Sequence, residues 1–324
     1  MITRRPFIGA AALAGLAGAK GVFAQEYPSK PIRLIVPASA ATQIDTVARV
    51  VGEALSKRLN TPVFIENRAG AGGAVGTASV AKSALDGYTL LVTGIPLFLT
   101  KWTSDQPVLF EAMTDFAPIA MLCSSPSGLV VRADSPYKTV ADLVRAMKAR
   151  PGEITFSSGG VGGTSHLHMV TLTEATQTSA KHIPYKGNAP ATIDVASGIV
   201  DFTFQGPVGI VGLIKTGKLR ALLVTNRTRW GELPDVPAAN EVGIPGLDFV
   251  SGWIGVVAPA LTPPPIVQRL SDEFVRIAQS QEFKKFCTEQ QMFVEATDHR
   301  QFLADFPKYD EQFKRLGTLA KQKG

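Results

Sequence analysis

The residues with the greatest capacity for chemistry lie in "SSGGVGGTSH" at residues 157–166, which combines four glycines, four hydroxyl side chains and a histidine. A phosphate-binding loop, a serine nucleophile beside a histidine, and a cradle of backbone N–H groups for another anion could each use this composition. No lysine follows the glycines, so a P-loop is excluded. A second glycine run, "AGAGGAVG" at residues 69–76, misses the dinucleotide pattern G-x-G-x-x-G by one residue, and we interpret it as a glycine-rich helix start.

Catalysis and metal binding find little support in the sequence. The nucleophile motif G-x-S-x-G does not occur, and a triad would also need an orienting acid. His166 and His168 stand two residues apart, which on a helix directs them to different faces and does not suit a metal site. Cys123 and Cys287 are far apart in sequence; we interpret them as two buried free thiols and leave a disulfide open. We therefore predict no catalytic residue, no metal and no cofactor.

Binding of an anion by backbone N–H groups is the remaining interpretation of the stretch at residues 157–166. Glycines let main-chain N–H groups converge, and a helix N-terminus adds unsatisfied donors and a favourable dipole. The stretch at residues 157–166 follows an apolar run and precedes a helix-like one, and "PASAATQ" at residues 37–43 has the same position. Two such loops predict a cleft that holds an anionic solute from both sides.

The elements that must position these loops alternate along the chain. Short apolar, β-branched runs at residues 31–37, 62–67 and 88–94 predict strands, and residues 44–59 have helical spacing. This first strand–helix–strand run predicts a parallel sheet. The rhythm restarts near residue 128, with a helix capped by Thr139, so we predict two α/β units in tandem. Residues 250–259 predict a further strand, and a helix follows the prolines at 263–265. A C-terminal amphipathic helix is expected to pack its apolar residues into a core: Phe302, Phe306, Tyr309, Phe313 and Leu316.

The N-terminal residues have the features of an export signal. Arg4 and Arg5 precede an apolar stretch at residues 7–19, and small or apolar residues end at Ala24. We expect a signal peptide at residues 1–24, of the twin-arginine type, and a periplasmic location. An N-terminal membrane anchor is disfavoured, because the apolar stretch has about a dozen residues and about 20 are needed to cross a bilayer. Cleavage would remove three basic residues and no acid, so the net charge falls from +6 to +3. That charge, without basic and aromatic runs, argues against nucleic acid and mildly favours an anionic solute.

Several longer segments carry a family resemblance. They are "YPSKPIRLIVP", "ENRAGAGGAVGTASVAKSALDGYTLL", "DFAPIAML", "FSSGGVGGTSHL", "HIPYKGNAPATIDVASGIVDFTF" and "GKLRALLVTNRTRWGELPDVPAANEVGIPG". In this order they resemble the Bug family, the periplasmic solute-binding proteins that serve tripartite tricarboxylate transporters. The resemblance covers essentially the whole chain after the signal peptide.

The resemblance implies an α/β fold with two domains that form a clam-shell, similar to the type II periplasmic binding proteins, each domain a sheet flanked by helices. One domain would comprise residues 25–125 and 252–324, and the other residues 126–251. It also implies that a carboxylate is bound without arginine, by loop N–H groups, hydroxyls and bridging waters. The residues that match the family's ligand loops are Ser39, Ala40, Ala41, Thr42, Thr93, Gly94, Ser158, Gly159, Gly163, Thr164, His166, Phe204 and Gln205.

Two departures from the family pattern bear on the ligand. Family members usually carry a glycine pair in the first loop, in a pattern like P-F-x-x-G-G-x-x-D, where this chain has "PASAATQID". Side chains at Ala40 to Thr42 thus replace flexible backbone. Many members also carry an acid where Gln205 stands, which suits amino-bearing ligands. The neutral amide here favours an uncharged or anionic ligand part.

We therefore predict a monomeric periplasmic receptor that captures a small carboxylate and delivers it to the membrane components of a tripartite transporter. An aromatic dicarboxylate such as terephthalate is one candidate ligand, and citrate-like or other aliphatic carboxylates are others. Two alternatives are an exported α/β hydrolase, which the missing nucleophile motif disfavours, and a receptor that presents its solute to a two-component sensor.

Overall fold

The computed structural model describes residues 27–104, 106–161, 163–226, 228–247 and 252–323, so the predicted signal peptide at residues 1–24 lies outside it. The strands are β1 (Ile32–Val36), β2 (Val63–Asn67), β3 (Thr89–Gly94), β4 (Phe116–Ser125), β5 (Gly128–Arg132), β6 (Thr155–Ser158), β7 (Lys181–Pro184), β8 (Phe202–Gln205), β9 (Leu219–Val224), β10 (Gly252–Pro259) and β11 (Phe293–Thr297). The helices are α1 (Gln43–Leu59), α2 (Ala74–Ala81), α3 (Pro96–Thr103), α4 (Ala112–Asp115), α5 (Val140–Ala149), α6 (Thr164–Thr176), α7 (Asn188–Ser197), α8 (Pro207–Lys215), α9 (Pro264–Gln279), α10 (Gln281–Glu289) and α11 (His299–Lys323).

The described strands form two sheets. One has six strands in the order β11-β4-β10-β3-β1-β2, and the other has five in the order β7-β6-β8-β5-β9. Sequence reasoning predicted the two α/β units correctly, and β1, β2 and β3, from which a parallel sheet was predicted, do pair in parallel. Each sheet as a whole is mixed. Only β1–β2, β1–β3, β6–β7 and β6–β8 pair in parallel, and the pairs made by β4, β5 and β10 are antiparallel.

The mixed pairing follows from the connections. A parallel pair needs a crossover of a dozen or more residues, usually a helix, and α1 provides one between β1 and β2. By contrast, only two residues separate β4 from β5, and these two strands belong to different sheets. After the five-stranded sheet, the chain returns as β10, which lies antiparallel between β3 and β4.

Several helices begin where the sequence predicts. At the start of α5, the Asp142 N–H donates to Thr139 Oγ1 at 3.2 Å, and the Thr139 N–H donates to the Asp142 carboxylate at 3.0 Å. This reciprocal pair satisfies two N–H groups that the helix leaves open. The helix α9 has Pro264 at its first position, where the missing proline N–H costs nothing. Both starts confirm the predicted boundaries.

The C-terminal helix α11 contacts both halves of the molecule. Its five predicted core residues are all buried, which confirms that interpretation, and they share a hydrophobic cluster with Leu167 and Val170 of α6. Arg315 also forms an ion pair with Glu174 at 3.2 Å. Since α11 follows the last strand of the six-stranded sheet and α6 follows β6 of the other, this packing joins the two halves.

The limits of the two predicted domains remain a prediction. The six-stranded sheet draws its strands from residues 32–125 and 252–297, and the five-stranded sheet draws its strands from residues 128–224. Across the described ranges, no helix has the combined length and apolar character that spanning a membrane requires.

Candidate ligand-binding cleft

A cavity of about 580 Å³ lies between elements of the two sheets. Its wall comprises Gln43, Ser125, Ser127, Thr164, Ser165, Asn188, Ala189, Thr192, Ile193, Phe204, Gln205, Gly206, Pro207, Val208, Gly209, Leu213, Gly252 and Gln290. Gln43, Ser125, Gly252 and Gln290 belong to the six-stranded half, and most of the others to the five-stranded half. This volume falls in the range of small-molecule sites, and we call the cavity the cleft.

The cleft is polar but neutral. None of the described residues that line it carries a charged side chain; its polar side chains are hydroxyls and amides. On the six-stranded side of the cleft, the Gln43 amide donates to Ser125 Oγ at 3.4 Å. Large apolar side chains are also exposed there: Ile193 is 62 % exposed and Val208 is 83 % exposed. A ligand with both apolar surface and hydrogen-bond acceptors fits this wall.

Within the described chain, four helices begin at this wall. Gln43, Thr164, Asn188 and Pro207 are the first residues of α1, α6, α7 and α8. The first four N–H groups of a helix have no partner inside the helix, and the macrodipole places partial positive charge there. No side chain caps the start of any of these four helices by a hydrogen bond. The cleft therefore offers positive potential from backbone groups instead of from lysine or arginine.

The sequence keeps these helix starts open. The N-cap residues of α6, α7 and α8 are Gly163, Gly187 and Gly206, which have no side chain to occupy the first N–H groups. Gly187 has φ 118°, a backbone conformation that favours glycine. At α1 the N-cap is Thr42, but its hydroxyl donates to the Ser39 carbonyl at 2.9 Å instead.

Residues 47–324 match the family of tripartite tricarboxylate transporter receptors, TctC. This chain belongs to the TctC family. It is 36 % identical to protein BugT of Bordetella pertussis over 271 residues, which cover 83 % of this chain and 82 % of BugT. A TctC solute-binding protein from Polaromonas superposes with a TM-score of 0.81 at 30 % identity, covering 90 % of this chain and 98 % of that one. A Rhodopseudomonas palustris protein with adipate superposes with a TM-score of 0.70 at 27 % identity, covering 91 % and 99 %.

These similarities confirm the resemblance to the Bug family and the two-domain α/β fold of periplasmic binding proteins. TctC proteins are periplasmic receptors that bind small solutes and work with transporter components in the membrane. Three of the residues predicted for the TctC ligand site line the cleft: Thr164, Phe204 and Gln205. Gln205 is 3 % exposed, and its amide donates to Thr203 Oγ1 at 3.2 Å.

The other predicted residues lie outside the described wall of this TctC cleft: Ser39, Ala40, Ala41, Thr42, Thr93, Gly94, Ser158, Gly159, Gly163 and His166. Their contact with a ligand stays a prediction. Thr93 is fully buried, and its Oγ1 has no hydrogen-bond partner among the described residues. Gly94 faces the Trp253 carbonyl of β10 so closely that a side chain would collide with it. Gly94 therefore has a clear packing role.

Ser158 and His182 form a close pair below the glycine-rich loop. Ser158 is fully buried, and its Oγ lies 2.6 Å from His182 Nε2 and donates to the Gly160 carbonyl at 3.1 Å. The ring of His182 stacks between Phe156 and His166, at centroid distances of 4.5 and 4.3 Å. Burial lowers the pKa of His182. This pair organises the loop, and contact of Ser158 with a ligand stays a prediction.

The glycines of this loop have different roles. Gly163 is exposed and has φ −69°, a value that residues with a side chain also adopt. Gly160 has φ 137°, which favours glycine. A side chain at Gly159 would collide with the Asn188 amide oxygen, so the absence of one lets the β6–α6 and β7–α7 loops meet. The Gly187 N–H also donates to the Gly159 carbonyl at 3.2 Å.

Asp45 holds the first loop of this TctC chain. Its carboxylate accepts hydrogen bonds from the Ala41 N–H at 2.8 Å, from the Asn67 amide at 2.8 Å and from Arg49 at 3.0 Å. Burial opposes ionisation of Asp45, but the hydrogen bonds from Arg49, Asn67 and Ala41 outweigh it and lower the pKa of this carboxyl. The buried acid thus fixes the loop and the start of α1 together.

Replacing Ala41 with glycine should stabilise the protein. Ala41 has φ 62°, a left-handed conformation that costs a residue with a side chain about 1 kcal/mol. Part of the gain is offset because glycine has more freedom in the unfolded chain. We expect Ala41→Gly to raise the free energy of unfolding by about 0.5 kcal/mol, measured by chemical denaturation. Ala40→Gly is the matched control: Ala40 is not in the left-handed region, so that change should only destabilise. Equal effects of both changes would contradict this account.

Sequence reasoning missed part of the wall. The starts of α7 and α8 had a local signal, because "KGNAP" and "QGP" each place a glycine between a strand and a helix. Ser125, Gly252 and Gln290 have no such signal, because they reach the cleft only through the packing of the two halves. Among the described residues, no cluster of histidine, cysteine or acidic side chains could hold a metal ion.

Proposed function

We propose that this TctC receptor captures a small carboxylate that lacks an amino group and delivers it to a tripartite transporter. The observation that carries the proposal is the neutral cleft with four uncapped helix N-termini. Backbone N–H groups at helix starts stabilise an anion, whereas an ammonium group would find no acidic partner among the described lining residues. We propose that the receptor acts as a monomer, and that export with cleavage near Ala24 brings it to the periplasm.

The arrangement of the wall favours a dicarboxylate with an apolar body. One helix start, that of α1, lies on the six-stranded side, and the other three lie on the five-stranded side. Phe204, Ile193 and Leu213 supply apolar surface in the same cleft. A molecule with a carboxylate at each end and an apolar middle would use all of these features. The similar R. palustris protein with adipate supports this class, and terephthalate is its rigid aromatic counterpart.

A thermal-unfolding screen tests the ligand class. Adipate, terephthalate and citrate should be compared with the dimethyl ester of terephthalate and with a diamine of the same length as adipate. A ligand present at 100 times its Kd adds about 2.7 kcal/mol to the free energy of unfolding. We expect at least one dicarboxylate to raise Tm and the ester and diamine to leave it unchanged. Stabilisation by the diamine, or by none of the carboxylates, would overturn the proposal.

Thr164→Ala should weaken carboxylate binding roughly tenfold. Thr164 is exposed, lines the cleft and begins α6, so its hydroxyl and N–H can both reach an anion there. A hydrogen bond to a charged group is worth about 1.5–3 kcal/mol. Calorimetry with the ligand from the screen measures the loss. Thr192→Ala is the matched control, since the Thr192 hydroxyl also lines the cleft but already donates to the Asn188 carbonyl at 2.9 Å. A larger loss in Thr192→Ala than in Thr164→Ala would contradict the assignment.

We further propose that residues 25–125 with 252–324, and residues 126–251, act as two lobes that close on the ligand. The separate sheets and the position of the cleft between their elements support this division. Ligand should shift the population towards a closed form that it fits better. Small-angle scattering should then give a smaller radius of gyration at saturating ligand. An unchanged radius, with binding verified by calorimetry in the same sample, would favour a rigid cleft.

A further inference from the structure

A second cavity, of about 460 Å³, lies on the other side of α8 from the cleft. Its wall comprises Pro207, Val211, Trp230, Gly231, Glu232, Lys284, Cys287, Thr288, Gln291, Met292, Phe293 and Val294. Pro207 is shared with the cleft, and the remaining residues are not. One wall comes from α8 and the turn after β9, and the other from α10 and β11. We call this cavity the α8–α10 pocket.

The α8–α10 pocket is mainly apolar. Val211, Met292, Phe293 and Val294 belong to its wall, and it lies where two hydrophobic clusters, one from each half of the molecule, approach each other. Phe293 of β11 already packs against the cluster that contains Val211 and Trp230. An apolar body, aromatic or aliphatic, would displace water from these surfaces, and the volume suffices for a fused two-ring molecule.

Two buried polar atoms in this wall lack hydrogen-bond partners. Trp230 is 3 % exposed, and its indole Nε1 has no partner among the described residues; the same holds for Gln291 Oε1. An indole N–H can only donate, so it requires an acceptor. Leaving such a buried donor unpaired destabilises the protein. A ligand oxygen placed beside Trp230 would remove that destabilisation.

The charges around the α8–α10 pocket favour a negative head group. Glu232 is already paired with Lys215, whose Nζ lies 2.6 Å from its carboxylate. Lys284 lines the pocket and takes part in none of the ion pairs found among the described residues. The neighbouring Lys285 instead faces Glu289, at 3.9 Å. The ammonium group of Lys284 is therefore left without an ion-pair partner among the described residues, at the edge of an apolar pocket.

We propose that the α8–α10 pocket is a second binding site, for an amphipathic anion with an apolar ring body and one acidic head group. The head group accepts from the Trp230 N–H and lies near the Lys284 ammonium, and the body contacts Val211, Phe293 and Val294. This site is independent of the carboxylate proposed for the cleft, because apart from Pro207 the two walls have no residue in common.

Naphthalene-1-sulfonate is a suitable probe, since it combines a two-ring apolar body with one anionic group. Calorimetry on the full mature chain should show saturable binding at one site. Trp230→Phe keeps the ring and removes the donor, and should weaken probe binding about tenfold. Lys284→Gln should weaken it about fivefold, and Lys285→Gln is the matched control that should leave it unchanged.

A variant of the cleft separates this proposal from the first one. Gln205→Glu should leave naphthalene-1-sulfonate binding unchanged, because Gln205 lies in the cleft and not in the α8–α10 pocket. Loss of probe binding in Gln205→Glu, without loss in Trp230→Phe and Lys284→Gln, would place the probe in the cleft and overturn the second site. Absence of binding at millimolar probe would overturn it as well. Neither result bears on whether the cleft binds a carboxylate.

Discussion

Gln205→Glu should lower the affinity for the carboxylate about 100-fold. The change keeps the shape of the side chain but introduces a negative charge at a buried position in a neutral wall. Two like charges about 6 Å apart repel by about 3 kcal/mol at an effective dielectric constant near 20. Calorimetry at pH 8, where the introduced glutamate is ionised, measures the effect. The same variant should bind an amino-bearing analogue of the ligand better than the wild type does.

Gln205→Met is the control for this prediction. Methionine has a similar length and no charge, so it removes the amide hydrogen bonds without the repulsion. We expect it to weaken carboxylate binding about tenfold at most. If the glutamate and methionine variants lose the same affinity, repulsion is not the cause, and the neutrality of the cleft does not select against amino groups.

Acidification should destabilise the protein through His168. This residue is fully buried in α6 and stacks on Phe204 at a centroid distance of 5.1 Å. Within the described part of the chain, neither ring nitrogen has a hydrogen-bond partner of ordinary geometry. Burial lowers the pKa of His168 to about 3, and the Thr164 carbonyl one turn earlier offsets this only in part. In the unfolded chain His168 therefore binds a proton as the pH falls through about 6.5, whereas in the folded protein it stays neutral until the pH approaches 3. Stability is fully present above pH 6.5 and falls as the pH decreases towards 3, by about 2 kcal/mol at pH 5.

Two substitutions test this pH dependence. His168→Leu and His168→Gln both remove the titrating group, but they differ in polarity at a buried site. Denaturation at pH 7 and pH 5 should show that both variants lose less stability than the wild type over this interval, by about 2 kcal/mol. Their absolute stabilities should differ from each other. A wild-type pH dependence in both variants would assign the acid sensitivity to other groups, such as His182.

Local sequence signals predicted individual elements well and their arrangement less well. The capping pair of Thr139 and Asp142 and the apolar spacing of α11 depend on neighbours within a few turns, so the sequence contains them completely. The direction of β10 does not follow from its composition, because a buried apolar strand satisfies parallel and antiparallel partners equally. The direction of β10 is set by the connection before it, in which the chain leaves the five-stranded half and returns to the six-stranded sheet.

The residues of the cleft also differ in whether a local sequence signal predicts them or a contact between distant segments places them. Thr164 and Gln205 could be located from a glycine-rich loop and from a strand end, because both signals are local. Ser158 belongs to the same loop, and its hydroxyl pairs with the His182 ring from the next strand, a contact that no local signal indicates. The sequence suggested that Ala41 makes the first loop less flexible than the glycine pair of the family. In the structure, a hydrogen bond to the buried Asp45 holds Ala41 in the left-handed conformation that glycine favours. Contacts between distant segments decided both cases.

The helix starts that face the cleft have a kinetic consequence. Peptide dipoles act over the first turn only, and the described wall has no charged side chain whose field would extend into solution. Arrival of an anionic solute is then governed mainly by diffusion and by the width of the opening, since only the small net charge of the protein, and not the cleft wall, attracts it from a distance. The association rate constant should stay nearly constant between low and high ionic strength. Differences in affinity between carboxylates would then appear almost entirely in how long each one stays bound.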